Sequence, residues 1–135
     1  MRYVAFIHKD PDSDYGVSFP DFPGCISAGS TVDEAVANAV EALAGHVDVI
    51  AADGEEIPAP RHFDDILADP EFAEEREGAT YVYVPLIRNR GASLRVNVSI
   101  DIGLLEAIDE MAKKRGLTRS AFLASAARKE IEATA

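Results

Sequence analysis

Ser93-Leu94-Arg95-Val96-Asn97-Val98-Ser99-Ile100-Asp101 is the stretch that decides the fold of the C-terminal third of this chain. Leu94, Val96, Val98 and Ile100 alternate with Arg95, Asn97 and Ser99, and a period of two describes a strand with one apolar and one polar face. Asp101 then opens a helix carrying Leu104, Leu105, Ile108, Met111 and Ala112, which stops at Gly116. A second helix starts at Thr118 and carries Phe122, Leu123, Ala126 and Ile131. A unit this close to the lower limit of about 40 residues has too little core to stand alone. Its single strand also has two unpaired edges. Both defects vanish when two copies pair their strands antiparallel and interleave their helices. Leu94, Val96, Val98 and Ile100 are therefore expected to form a dimer core. Arg95, Asn97 and Ser99 would be displayed twice on a two-stranded ribbon, a shape the DNA major groove admits.

Residues 93–131 resemble the ribbon-helix-helix family. Many members carry proline where this chain has Asp101-Ile102-Gly103, but Asp is itself a good N-cap. Gly103 in the first helical turn costs up to about 1 kcal/mol relative to alanine, so a soft helix start is expected. Arginine can bond guanine bidentately and asparagine can bond adenine, which makes Arg95 and Asn97 the base-reading candidates beside Ser99. Thr118, Arg119 and Ser120 lie where free N–H groups of a helix start can take a phosphate. Lys113, Lys114 and Arg115 already have a local role against the negative end of the preceding helix dipole.

The formal net charge of −11 would weigh against nucleic acid if it were evenly spread. Residues 1–86 hold four basic residues against eighteen acidic ones, a net of −14, whereas residues 87–135 hold nine against six, a net of +3. This asymmetry suggests two modules with different partners, one facing something basic and the other facing phosphate. A hydrophobic share of 47% with 27% charged residues is that of a globular protein. No uninterrupted apolar run approaches the ~20 residues of a membrane span, and the N-terminus lacks a signal-peptide pattern. No membrane partner is expected, and the cytoplasm is the expected location. Cys25 is the one cysteine, so no intrachain disulfide can form.

In the N-terminal half, Tyr3–Ile7 and Tyr15–Pro20 read as strands joined by the turn Lys9-Asp10-Pro11-Asp12-Ser13-Asp14, rich in residues that bond their own backbone. Asp21-Phe22-Pro23-Gly24 is a second turn, followed by a short strand over Cys25–Ala28. Thr31 and Glu34 have the spacing of a capping box, with Asp33 in the positive first turn. Val32, Val36, Ala39, Val40, Leu43, Val47 and Ile50 then make one apolar stripe at helical spacing, ended by Asp53-Gly54. Ile57-Pro58-Ala59-Pro60 cannot be helical. His62–Glu77 is acidic, with Ile66, Leu67 and Phe72 spaced to allow a short helix, and reads as a decorated loop, and Thr80–Leu86 reads as a fourth strand. The fold class is α+β: a small antiparallel sheet with one covering helix, in the order β-β-β-α-β, followed by a β-α-α unit that dimerises. The expected domains are 1–86 and 93–135, with a linker over 87–92.

Tyr15-Gly16-Val17-Ser18-Phe19-Pro20-Asp21-Phe22-Pro23-Gly24-Cys25, Ser27-Ala28-Gly29 and Thr31-Val32-Asp33-Glu34-Ala35 resemble the signature of HicB antitoxins, over about residues 3–86. The resemblance implies a partial RNase-H-like fold lacking catalytic acids, and binding to a HicA-like toxin that cleaves mRNA. The family's ribbon-helix-helix tail implies repression of the operon encoding both proteins. Asp21 and Phe22 in the turn, with Asp64 and Asp65 in the acidic loop, are the candidate toxin contacts.

Asp10, Asp12, Asp14 and Asp21 invite a metal-site reading, but three of them crowd one hairpin turn and the glutamate of a calcium loop is missing. Turn formation accounts for them better, and no metal or cofactor is expected. Cys25 reads as a buried small residue, since a free cysteine often behaves as a hydrophobe. His8, His46 and His62 stand in no recognisable motif, with His46 expected to pack near the edge of the apolar stripe. An enzyme is not expected. The favoured reading is a bifunctional antitoxin whose tail forms a homodimer on operator DNA, with body contacts able to extend it to a tetramer. The alternatives are a stand-alone regulator whose acidic half serves oligomerisation or ligand sensing, and a metal-dependent nuclease.

Overall fold

The computed structural model describes residues 1–134, which form two compact units, Met1–Asn89 and Arg90–Thr134. The first holds strands β1 (Arg2–Lys9), β2 (Tyr15–Ser18) and β3 (Ile26–Gly29), then helix α1 (Val32–Ala52). The short helices α2 (Phe63–Ala68) and α3 (Ala73–Arg76) flank a 3-10 turn at Pro70–Phe72, and strand β4 (Thr80–Pro85) follows. The sheet order is β3-β2-β1-β4, with every neighbouring pair antiparallel. The expected order of the four strands and the long helix is found, with strand ends shifted by a residue or two, and the short helices between α1 and β4 are additional to it.

β1 is central and buried on both faces, which is why Tyr3–Ile7 is an unbroken apolar run and not an alternation. Tyr3, Ala5 and Ile7 face α1, together with Val17, Val84 and the helix residues Ala35, Ala39, Val40, Leu43 and Val47. α1 is long and apolar enough to cross a bilayer by length and composition, but its apolar stripe lies on the sheet. Gly29 makes that docking possible: a Cβ there would sit 2.4 Å from the backbone nitrogen of Ala35. Thr31 caps α1 by accepting from the Glu34 N–H at 3.1 Å. The capping box closes one residue early, because Glu34 Oε2 accepts from the Ser30 N–H and hydroxyl.

Val4 and Phe6 point to the opposite face, where they meet Ile66 and Phe72 in a second core. The segment His62–Glu77 is therefore not a decorated loop but a structured arm that covers this face. Its apolar signal is Phe63, Ile66, Leu67 and Phe72 among acids, enough to allow the short helix that is found but too sparse to mark the whole segment as a packed cover.

The second unit contains α4 (Ile102–Lys114) and α5 (Arg119–Thr134). Asp101 caps α4, accepting from the Gly103 N–H at 2.9 Å and from the Leu104 N–H at 3.3 Å. A Cβ at position 103 would lie 3.2 Å from the Asp101 Oδ2, so the glycine that weakens the helix also leaves room for its cap. Thr118 Oγ1 accepts from the Ala121 N–H at 3.1 Å, starting α5 as expected. Among the described residues, 93–101 form no strand ladder. A ladder needs a neighbouring strand, and the second unit supplies none.

Candidate functional site

The second unit is poor in core. Ile108 and Ala112 are its buried apolar residues, while Leu94 is 87% exposed and Val96 and Val98 are each 70% exposed. Ile102, Leu104, Met111, Leu117 and Ile131 are exposed as well. Beside Leu94, Val96, Val98 and Ile100 runs an open groove of about 1080 Å³, walled on its other side by Arg119, Ser120 and Leu123 of α5. Apolar side chains lining an empty groove have surface left to bury, at roughly 25 cal/mol per Å². Ile100 alone of the four is partly covered.

Arg95, Asn97 and Ser99 are exposed, as are Thr118, Arg119 and Ser120. Arg119 is already engaged: Nε donates to Asp109 Oδ1 at 2.8 Å and Nη2 to Oδ2 at 2.7 Å, tying α5 to α4. The hydrogen bond from Arg119 holds the Asp109 carboxyl below its ordinary range, and Asp109 raises the guanidinium in return. Thr118 spends its hydroxyl on the helix cap. Of the three residues expected at a phosphate, Arg119 ties α5 to α4, Thr118 caps α5, and Ser120 stands at the groove.

In the first unit, the residues singled out in the turn take structural positions. Phe22 is 1% exposed, packing edge-on against Tyr3 with ring centroids 4.7 Å apart and against His46 at 5.8 Å. Asp21 points into a cluster with Arg61, its side chain 2% exposed. Neither residue presents the surface expected of a partner contact: Phe22 serves the core and Asp21 attaches the arm. Asp64 and Asp65 are exposed in the first turn of α2. Arg61 escaped the sequence reading because nothing local marks its pairing with a residue so distant. Its bond to Asp21 holds the guanidinium pKa above the ordinary value against the opposing effect of burial.

Cys25 is 3% exposed in the core, and burial pushes its thiol up to about 11. His46 packs on Phe22, as its place beside the stripe suggests. His8 Nε2 bonds the Glu75 carbonyl, another tie between sheet and arm. Asp12 adopts a φ of 60° within the β1–β2 turn, a conformation that aspartate tolerates better than most side chains. The proposed linker is shorter than 87–92: Ile87 packs on the first core and Arg88 Nε bonds Asp48 Oδ1 at 2.8 Å.

An acidic body with a covered two-faced sheet, followed by a second unit that carries Arg90 and Arg95 ahead of a charge-balanced helix pair with unburied apolar surface, defines a small two-module α+β protein. A family described as HicB-like antitoxin of bacterial toxin-antitoxin systems matches residues 3–127, and the chain belongs to that family. The crystal structure of the Burkholderia pseudomallei antitoxin HicB is similar, at 37% identity and a TM-score of 0.57, covering 94% of this chain and 96% of that one. An uncharacterized 14.9 kDa protein from the rep-hol intergenic region of Haemophilus phage HP1 is 36% identical over 110 residues, covering 82% of this chain and 80% of its own. A chain of a HicA3 and HicB3 toxin-antitoxin complex is 32% identical with a TM-score of 0.53, and covers 64% of this chain and 99% of its own.

Proposed function

We propose that this antitoxin works through two separate surfaces: its acidic body binds and silences a HicA-like, mRNA-cleaving toxin, and its tail represses the operon encoding both. In this reading the body is a partial RNase-H-like sheet serving as a scaffold, not as an enzyme, and the protein acts in the cytoplasm. The tail pairs with a second copy as a ribbon-helix-helix dimer, in which Leu94, Val96, Val98 and Ile100 become core. The carrying observation is the exposure of Leu94, Val96 and Val98 in alternation beside an open groove. A partner strand would bury all three and supply the missing ladder.

Strand faces alternate strictly, so packing Val96 and Val98 inward turns Arg95, Asn97 and Ser99 outward to the major groove. Ser120 is left as the phosphate contact, which positions without specifying. The toxin arm of the proposal is supported by the complex formed by the HicB3 relative and by the net charge of −14 over residues 1–86. Co-expression with the neighbouring small reading frame tests it. Rescue of growth by residues 1–89, and operator binding only by chains with an intact tail, is the expected pattern. Rescue by the tail alone would reverse the division of labour.

A further inference from the structure

The second face of the body sheet holds an apolar hollow of about 130 Å³ between β4 and α2, lined by Val4, Phe63, Tyr81, Val82 and Tyr83. Dry apolar cavities of about 150 Å³ take up benzene, so this one can seat a single branched or aromatic side chain. Its walls are fixed. Phe63 and Tyr81 meet edge-on with centroids 5.0 Å apart, and Tyr81 packs on the buried Phe6 at 5.4 Å. Tyr81 is nevertheless 36% exposed, because β4 is an edge strand, with β1 on one side and, among the described residues, no strand on the other. Arg2 stacks over the lining ring of Tyr83 at 4.2 Å.

The charge around the arm is one-sided for a structural reason. Arg61 and Arg76 are the only arginine or lysine residues between 55 and 79, and both are engaged in hydrogen bonds within the body. Arg61 bonds Asp21, Asp69 and the Pro20 carbonyl. Arg76 bonds the Ile66 and Asp69 carbonyls. Asp64 and Asp65, directly after Phe63, are exposed, as are Glu71, Glu74 and Glu75. The arm therefore presents acids outward beside a rigid aromatic hollow. Aromatic anchors inside a polar rim are what protein hot spots are made of.

We infer that this hollow receives one apolar side chain of a basic protein partner, with Asp64 and Asp65 meeting the lysines or arginines that flank it. The inference rests on the antitoxin reading and names the part of the body that reading uses. A second copy of this chain is disfavoured as occupant, since it would bring one acidic arm against another.

The test uses the full chain and, as probe, the small basic protein encoded beside it. Tyr81→Lys should weaken the complex about tenfold or more, mainly through faster dissociation. Asp64→Lys/Asp65→Lys should slow association and flatten its salt dependence. Glu41→Lys/Asp53→Lys carries the same charge change on exposed positions in and just after α1 and should leave binding within about threefold. Circular dichroism melts confirm folding. If Tyr81→Lys fails to fold, the double aspartate variant at exposed positions decides against its matched control. Binding unchanged in these variants overturns the hollow while the antitoxin reading stands. If the unmodified chain does not bind the probe at all, the antitoxin reading fails and takes the hollow with it. Loss of self-association in Tyr81→Lys with intact probe binding assigns the hollow to a second copy and also overturns the inference.

Discussion

Asp21 and Arg61, forty residues apart, share a two-point clasp: Arg61 Nε donates to Oδ1 at 2.6 Å and the Arg61 backbone N–H donates to Oδ2 at 3.2 Å. Tyr3 reinforces it, its hydroxyl donating to the Pro58 carbonyl at 2.7 Å. Together they join the turn before β3 to the beginning of the arm, which otherwise would cross the sheet edge on Pro58 and Pro60 alone. The Arg61 guanidinium then lies 5.0 Å over the Phe72 ring, so one side chain connects the clasp to the second core.

Asp21→Ala should leave a guanidinium and a backbone N–H short of their acceptor. With Arg61 partly exposed, the expected loss is about 1–3 kcal/mol, less than for a fully buried pair. Urea unfolding measures the loss, and amide exchange over 62–77 should accelerate before the rest of the body opens. A variant within about 0.5 kcal/mol of the parent, with unchanged exchange in the arm, would show that the clasp does not hold it.

The buried Cys25 gives a pH signature of known sign. Its thiol is held up at about 11 against 9.0 for an unperturbed group. Between about pH 9 and pH 11 the unfolded chain releases this proton while the folded chain keeps it, so Cys25 makes stability fall as pH rises. The slope contributed is at most about 1.4 kcal/mol per pH unit, and none is contributed well below pH 9. Urea titrations of the parent and Cys25→Ala at about pH 8 and about pH 10.5 isolate it. The gap between the two proteins should narrow at the higher pH, and a constant gap would mean the thiol is not shielded as its burial implies.

Val98→Asp should abolish tail pairing, because each dimer would bury two like charges at the centre of the ribbon. Sedimentation should find the second unit's helices unfolded or the chain monomeric through its tail, while the body retains its sheet signal. A folded tail dimer in this variant would remove the strand-pairing arrangement.

Legibility in the sequence followed the strength of local periodicity. The α1 stripe, the Thr31 start and the Asp101 cap announce themselves because each is contained within a few residues. β1 gave no alternation for the opposite reason: Val4 and Phe6 are as buried as Tyr3, Ala5 and Ile7. That continuous run was a signal that something must cover the second face. The cover itself, Ile66 and Phe72 among acids, is held by Asp21 and Arg61, a pairing at long range that spacing cannot reveal. Phe22 misled as a surface candidate because it sits in a turn, and turns are usually exposed. Here the turn folds its aromatic ring inward onto Tyr3. Arg119 stands at the helix start expected to meet a phosphate, and the pairing of its side chain with Asp109, one helix earlier, is a tie that local spacing does not mark.

The most direct measurement is a paired assay of Asn97→Ala in the full chain: operator affinity and selectivity across a salt series, beside toxin inhibition. The substitution should cost roughly 1–3 kcal/mol per lost base contact and relax sequence preference. Toxin inhibition, which the proposal assigns to the other unit, should be unchanged. Operator binding that keeps both its affinity and its selectivity, or inhibition that is lost together with it, would contradict the division of this chain into a reading ribbon and a toxin-binding body.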